Sequence, residues 1–98
     1  MRVPVQVITP FDDLDEAVAP ANDSRYGLVG RIWMTTLEVA HKVAREVRTG
    51  TMWVNCFFVR DLRAPFGGMK DSGIGREGCL HSEESFTEAK AVVIQFAS

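Results

Sequence analysis

No apolar run in this 98-residue chain approaches the ~20 residues that a membrane-spanning helix needs. The opening Met1-Arg2-Val3-Pro4-Val5-Gln6 has neither the apolar core nor the cleavage signal of a secretory leader. Basic residues are not in excess: 11 Lys and Arg stand against 13 Asp and Glu, a net charge of −2, and no basic stripe stands apart. A nucleic-acid footprint is therefore not expected. Cysteine is scarce; Cys56 and Cys79 have neither metal-ligand spacing nor a disulfide framework around them. His41 lacks an acidic residue four positions to either side, and His81 sits in an equally plain setting, so neither supports a catalytic dyad. The expected compartment is reduced and cytoplasmic.

What is present is the composition of an ordinary folded protein, 46% hydrophobic and 24% charged, in a chain long enough for one small domain at most. Val5 to Thr9, an apolar run between Pro4 and Pro10, reads as a strand. Asp12 or Asp13 then caps a helix through Asn22, with Leu14, Ala17, Val18 and Ala21 on one apolar face. Pro20 removes a backbone donor, so this helix is expected to stop or bend near Ala19. Asn22-Asp23-Ser24 and Tyr26-Gly27 are turn chemistry. Leu28 to Met34 is apolar apart from Arg31 and reads as a second strand.

Thr35 or Thr36 caps a second helix, Leu37 to Arg48, whose Leu37, Ala40, Val43, Ala44 and Val47 recur at three- and four-residue steps. Glu38 and Lys42 are placed as an i,i+4 pair. Gly50 ends the helix and Thr51 to Cys56 forms a third strand. His81 to Thr87 reads as a short helix and Ala91 to Phe96 as a final strand. Strands separated by helices and lacking clean polar alternation predict an α/β unit, strand-helix-strand-helix-strand, around a parallel sheet. Two helices cannot cover both faces of that sheet, and the last strand is a free edge. An oligomer, with strands or helices exchanged between copies, is the expectation.

The densest signal lies between Trp53 and Gly78. A strand ends at Asn55, and an irregular segment follows with aromatics, two arginines, Pro65 and closely spaced glycines. Gly73-Ile74-Gly75-Arg76-Glu77-Gly78 matches the dinucleotide pattern G-x-G-x-x-G by letter. No strand runs directly into it, and no acidic residue follows at the right distance. A packing loop is the better reading, and a nucleotide site the weaker one.

Val54-Asn55-Cys56, Pro65-Phe66-Gly67-Gly68-Met69-Lys70 and Ser72-Gly73-Ile74-Gly75-Arg76-Glu77 resemble the C-terminal part of the aldehyde dehydrogenase superfamily. Asp12 to Ala17, Ala21 to Leu28 and Phe86-Thr87-Glu88-Ala89-Lys90 extend the resemblance over nearly the whole chain. It implies one partial domain over residues 1–98: the end of a catalytic domain through residue 87, then an association strand at about 88–97. It also implies NAD- or NADP-dependent oxidation of an aldehyde to an acid in the complete enzyme. The family's nucleophilic cysteine, general base and cofactor domain lie upstream of the resembling segment. The implied reading is thus a fragment with no catalytic residue and no cofactor site of its own, inactive alone. A non-catalytic assembly module, joining itself or full-length relatives by its edge strand, is the alternative.

Valine-arginine-aspartate-leucine-arginine at residues 59–63 is similar to family members acting on muconic semialdehydes, whose substrates carry a carboxylate. The resemblance puts Arg60 on the substrate side of the loop, where a guanidinium fork suits a carboxylate. Pairing of Arg60 and Arg63 with Asp61 or nearby acids is the competing reading. Cys56 lines the aldehyde channel by resemblance, and an independent thiol role needs Arg60 or Arg63 to fold back toward it. Phe58 and Phe66 become channel walls or, alternatively, core filler. Asn55 either orients the loop through its backbone or touches substrate. Arg76 and Glu88 resemble a pair tying the glycine-rich loop to the association strand; a screened surface pair is the bland alternative. Cys79 stands where the family usually has glycine.

Overall fold

The structure, a computed structural model, describes residues 3–97. Helix α1, Leu14–Asn22, begins where the acidic run provides a cap: the Asp13 carboxylate accepts the Glu16 N–H at 2.8 Å, and Glu16 accepts the Asp12 N–H at 3.0 Å. Both bonds satisfy donors that a helix start leaves unpaired. The helix runs through Pro20 instead of stopping near Ala19. Only two residues follow the proline, so its missing donor falls in the last turn. The Asp23 N–H closes that turn on the carbonyls of Ala19 and Pro20.

Four strands and two further helices follow. Strands β1 (Tyr26–Gly27) and β2 (Val29–Ile32) precede helix α2 (Leu37–Glu46). Strands β3 (Thr51–Val54) and β4 (Met69–Lys70) precede helix α3 (Cys79–Phe86). The β2–α2–β3 stretch is the expected parallel unit, with register from Val29 opposite Thr51 to Ile32 opposite Val54. Ala40 and Val43 of α2 and Trp53 of β3 are its buried hydrophobic side chains. Thr36 occupies the cap position of α2 by backbone shape, without a side-chain cap bond. Lys42 reaches Asp15 of α1 at 3.2 Å instead of Glu38. The bond to that carboxylate raises the Lys42 pKa.

β1, expected as turn, pairs antiparallel with β4. The chain is drawn back there by Lys70, whose ammonium donates to the carbonyls of Asn22 and Ser24 at 2.8 and 2.9 Å. Arg25 binds Asp71 at 2.8 Å, and the Gly27 N–H donates to Ser72 Oγ at 2.9 Å. Gly50 allows this return, because a β-carbon there would collide with the Gly67 carbonyl.

Two expected strands do not form. Residues 5–9 and 91–96 belong to no strand or helix, with Val7 and Val93 83% and 91% exposed. A strand needs a neighbour for its backbone groups, and neither segment has one. The expected five-element parallel unit is therefore realised only in its β2–α2–β3 part, and the edge strand Ala91–Phe96 is absent. The Cα radius of gyration is 19.7 Å, with extents of 77 × 35 × 21 Å. A compact chain of this length has a radius of about 13 Å. The accessible surface is 8702 Å², against about 5,600 Å² for a compact monomer of the same mass. A cleft of about 310 Å³ also stays open between α1, α2 and β2. These residues form part of a core and leave much of it uncovered.

Candidate functional site

β2 and β3 run parallel and end side by side, at Ile32 and Val54. Ligands of open parallel sheets sit beyond such carboxyl ends. Asn55 terminates the ladder. Its N–H donates to the Ile32 carbonyl at 2.8 Å, its Oδ1 accepts the Met34 N–H and its Nδ2 donates to the Met34 carbonyl, both at 2.7 Å. The amide therefore pairs with the exit of the neighbouring strand, not with its own loop. Asn55 has a positive φ of 55°, which turns the chain sharply away from the sheet.

The turned segment packs its aromatics on Trp53. The Phe57 ring meets Trp53 edge-on at 5.5 Å, and Phe58, with a φ of 61°, stacks on it at 5.8 Å. Trp53 Nε1 donates to the Val59 carbonyl at 2.8 Å, closing the loop over the strand end. Both rings stay exposed, Phe57 52% and Phe58 64%, and so form a surface wall more than a core. Cys56 is half-buried in this turn and free.

Neither arginine folds back to Cys56. Arg60 extends to Glu77, Nη2 to Oε1 3.2 Å, with its guanidinium carbon 4.4 Å from the Phe66 ring centre. Phe66 and Glu77 exchange two backbone hydrogen bonds of 2.8 Å, fixing ring and carboxylate relative to each other. Arg63 forks onto Asp61, with Nη2 to Oδ2 2.6 Å and Nε to Oδ1 3.0 Å. That hydrogen bonding holds the Asp61 carboxyl below its usual range and raises the Arg63 pKa. The cavity beside Arg60, bounded by Trp53, Val59, Pro65 and Phe66, measures about 70 Å³.

The anticipated Arg76–Glu88 pair is not formed among the described residues. Arg76 Nη1 donates to the carbonyls of Gly68 at 2.7 Å and Gly75 at 2.9 Å, while Glu88 lies in the exposed segment after the last helix. An unpaired tail cannot hold its carboxylate near the loop. The residues at Gly73–Gly78 do not fit a dinucleotide. The preceding strand, β4, is a two-residue antiparallel piece, and the Gly78 N–H is taken by Ser82 Oγ at 2.7 Å. Gly78 has a φ of 108°, and a β-carbon there would meet the Ala64 carbonyl at 2.8 Å. That is a packing loop, and no step through a cofactor is drawn from it.

Sequence reasoning passed over Arg31, Trp33, Trp53, Phe57 and Glu77. Arg31 stands opposite Trp53 in the ladder. Its guanidinium carbon lies 4.7 Å from the Phe57 ring centre and 5.5 Å from that of Trp33. The signal was available: Arg31 interrupts an otherwise apolar strand two residues before Trp33, on the same face.

A parallel strand–helix–strand unit whose carboxyl ends carry aromatics and arginines, followed by a glycine-rich return loop, is an α/β arrangement. The aldehyde dehydrogenase family profile matches residues 2–92, and the chain belongs to that family. It is 49% identical over 92 residues to a 2-aminomuconic semialdehyde dehydrogenase of Danio rerio, covering 94% of this chain and 19% of the relative. A 2-hydroxymuconic semialdehyde dehydrogenase of Pseudomonas putida is 49% identical over 88 residues, 90% of this chain and 18% of its own. Among solved structures, the NAD+ complex of a Bacillus cereus aldehyde dehydrogenase superposes with a TM-score of 0.81. That protein is 39% identical, over 96% of this chain and 19% of its own. The chain thus spans about a fifth of the length of its curated relatives.

Proposed function

We propose that this chain is the C-terminal, substrate-side portion of the catalytic domain of an NAD-dependent aldehyde dehydrogenase acting on a carboxylated semialdehyde. Asn55, Cys56, Phe58, Arg60 and Phe66 face the aldehyde channel. The observation that carries the reading is the strand-end constellation, in which Asn55 turns the chain and Trp53, Phe57 and Phe58 build an aromatic wall between two arginines. Apolar walls with a few placed polar groups are what a small-molecule site requires. The similarity to 2-aminomuconic and 2-hydroxymuconic semialdehyde dehydrogenases supports the substrate class. NAD or NADP serves the complete enzyme and is held by residues outside this chain.

Oxidation of an aldehyde needs a nucleophile, a general base and a bound hydride acceptor. This chain supplies the wall of the site and not those groups, so by itself it does not turn over. Its compartment is cytoplasmic. Purified chain assayed for NAD reduction with 2-hydroxymuconic semialdehyde should show no turnover, while light scattering establishes its mass in solution. Turnover co-eluting with the 10.9 kDa chain overturns the fragment reading and makes Cys56 the nucleophile to test.

A second role, assembly, is favoured by the tail. Val92, Val93, Ile94 and Phe96 are 69–91% exposed on backbone that joins no strand of this chain, which leaves it available to pair with the sheet edge of another copy. We propose residues 88–97 as an association segment, giving a homo-oligomer. Native mass spectrometry of the chain mixed with an intact relative should find mixed oligomers; their absence, under conditions where the intact enzyme exchanges subunits, removes the assembly role.

A further inference from the structure

We propose that Arg31, which the family resemblance does not single out, grips the carboxylate of the substrate, whose planar carbon chain lies in the cavity against Trp53 and Phe57. The inference rests on the substrate class proposed above and adds the residue that reads it.

Three observations carry it. The first is donor availability. A guanidinium offers five N–H donors in a flat fork that matches a carboxylate. Arg60 is committed to Glu77 and Arg63 to Asp61, at 3.2 and 2.6 Å. Among the described residues Arg31 has no carboxylate or carbonyl partner; its neighbours are the rings of Trp33 and Phe57. Stacking holds the side chain without consuming any of its donors.

The second is room. The cavity bounded by Val29, Gly30, Arg31, Trp53 and Phe57 measures about 350 Å³. Arg60 lines two cavities, one of about 70 Å³ against Trp53 and one of about 320 Å³ beside Glu77 and Gly78, where its acidic partner sits. Small-molecule pockets begin near 300 Å³, so the Arg31 side has room for a six-carbon semialdehyde along Trp53 and Phe57. Trp53 is the wall between this cavity and the smaller Arg60 one, lining both.

The third is position. Arg31 is next to last in β2, directly across from Trp53, where two parallel strands end. A carboxylate held by the fork there directs the rest of the molecule along the faces of Trp53 and Phe57. A conjugated chain gains from lying flat on such rings, and a puckered saturated chain gains less.

The test uses the chain as it is, with sorbate (2,4-hexadienoate) as a planar carboxylate probe. Hexanoate is its saturated counterpart and 2,4-hexadienol its uncharged one. Both tryptophans of the chain, Trp33 and Trp53, flank Arg31, so their fluorescence and the arginine Nε–H resonances report binding. Sorbate is expected to bind saturably and to shift the Arg31 resonance. Arg31→Gln should weaken it about tenfold or more, as loss of a charge-assisted fork does, and Arg31→Lys should restore only part. Arg63→Gln should leave it within about twofold, because that guanidinium is already forked onto Asp61.

No binding to folded wild-type chain, or full binding to Arg31→Gln, overturns the assignment. Loss in Arg60→Gln with Arg31→Gln unaffected overturns it too, but leaves the carboxylate reading intact at Arg60. Equal binding of hexadienol overturns the carboxylate reading itself.

Discussion

Arg31 and Arg60 stand on opposite sides of Trp53, each stacked on a phenylalanine, and one acidic neighbour separates their fates. Glu77 takes Arg60, whose cavity against Trp53 measures about 70 Å³. No carboxylate reaches Arg31 among the described residues, and its cavity stays at about 350 Å³. The residue type and the ring beneath it are the same. Availability of the charge is decided by what the return loop brings back: residue 77 is pinned to Phe66 by two backbone bonds, so its carboxylate arrives wherever Phe66 goes.

Removing the shared wall should have the largest effect. Trp53→Ala empties a site that is 6% exposed and should cost about 3–5 kcal/mol. A chain with so little buried core cannot lose that and stay folded; urea titration by circular dichroism should show no cooperative transition. A transition retained within 1 kcal/mol of wild type, an order-of-magnitude margin for surface changes, means the two sides do not share this wall. Next comes the hinge between the strand ends. Asn55→Ala deletes both bonds to Met34 and strains a positive φ, and should cost about 1–3 kcal/mol. Asn55→Gly keeps the turn while losing the bonds, so the difference between the two variants in urea midpoint isolates the backbone share.

Glu77→Gln breaks the comparison by making the two arginines alike. The pair is largely exposed, so its stability change should stay under about 1 kcal/mol. The Arg60 Nε–H resonance should then respond to added sorbate more than in the wild type; an unmoved resonance would show that the Glu77 charge is not what separates the two sides. The smallest effect is acid. Asp61 titrates below its usual range because of the Arg63 hydrogen bond. Its contribution is present above the ordinary carboxylate pKa and is lost as pH falls through the lowered folded value. Acidification below about pH 4 should loosen residues 61–64 in amide exchange, and should leave Arg31, which pairs with no acid among the described residues, unchanged.

Sequence order alone located the strand-end loop, the parallel β2–α2–β3 unit and a cap at Asp12 or Asp13, of which the structure uses Asp13, because each is written locally in periodicity, turn residues or capping chemistry. Pairings beyond local reach were not legible. β1 and β4 are two residues each and carry no pattern; Lys70 and Ser72 create their contact by reaching back to residues 22–27. The runs 5–9 and 91–96 have strand composition, yet composition does not provide a neighbour, and the segments stay single. Arg31 was read as a blemish in an apolar strand. Its meaning depends on Phe57, which arrives over it only after the chain turns at Asn55.

That turn has a further consequence for variation. The side chain of Asn55 meets Met34 as a peptide group would, so the sheet is finished before the loop begins. Everything from residue 56 to 64 hangs from a sealed hem. Length and chemistry there can change without unravelling the fabric behind it, so a new substrate preference can be stitched on at this point while the strands keep their register.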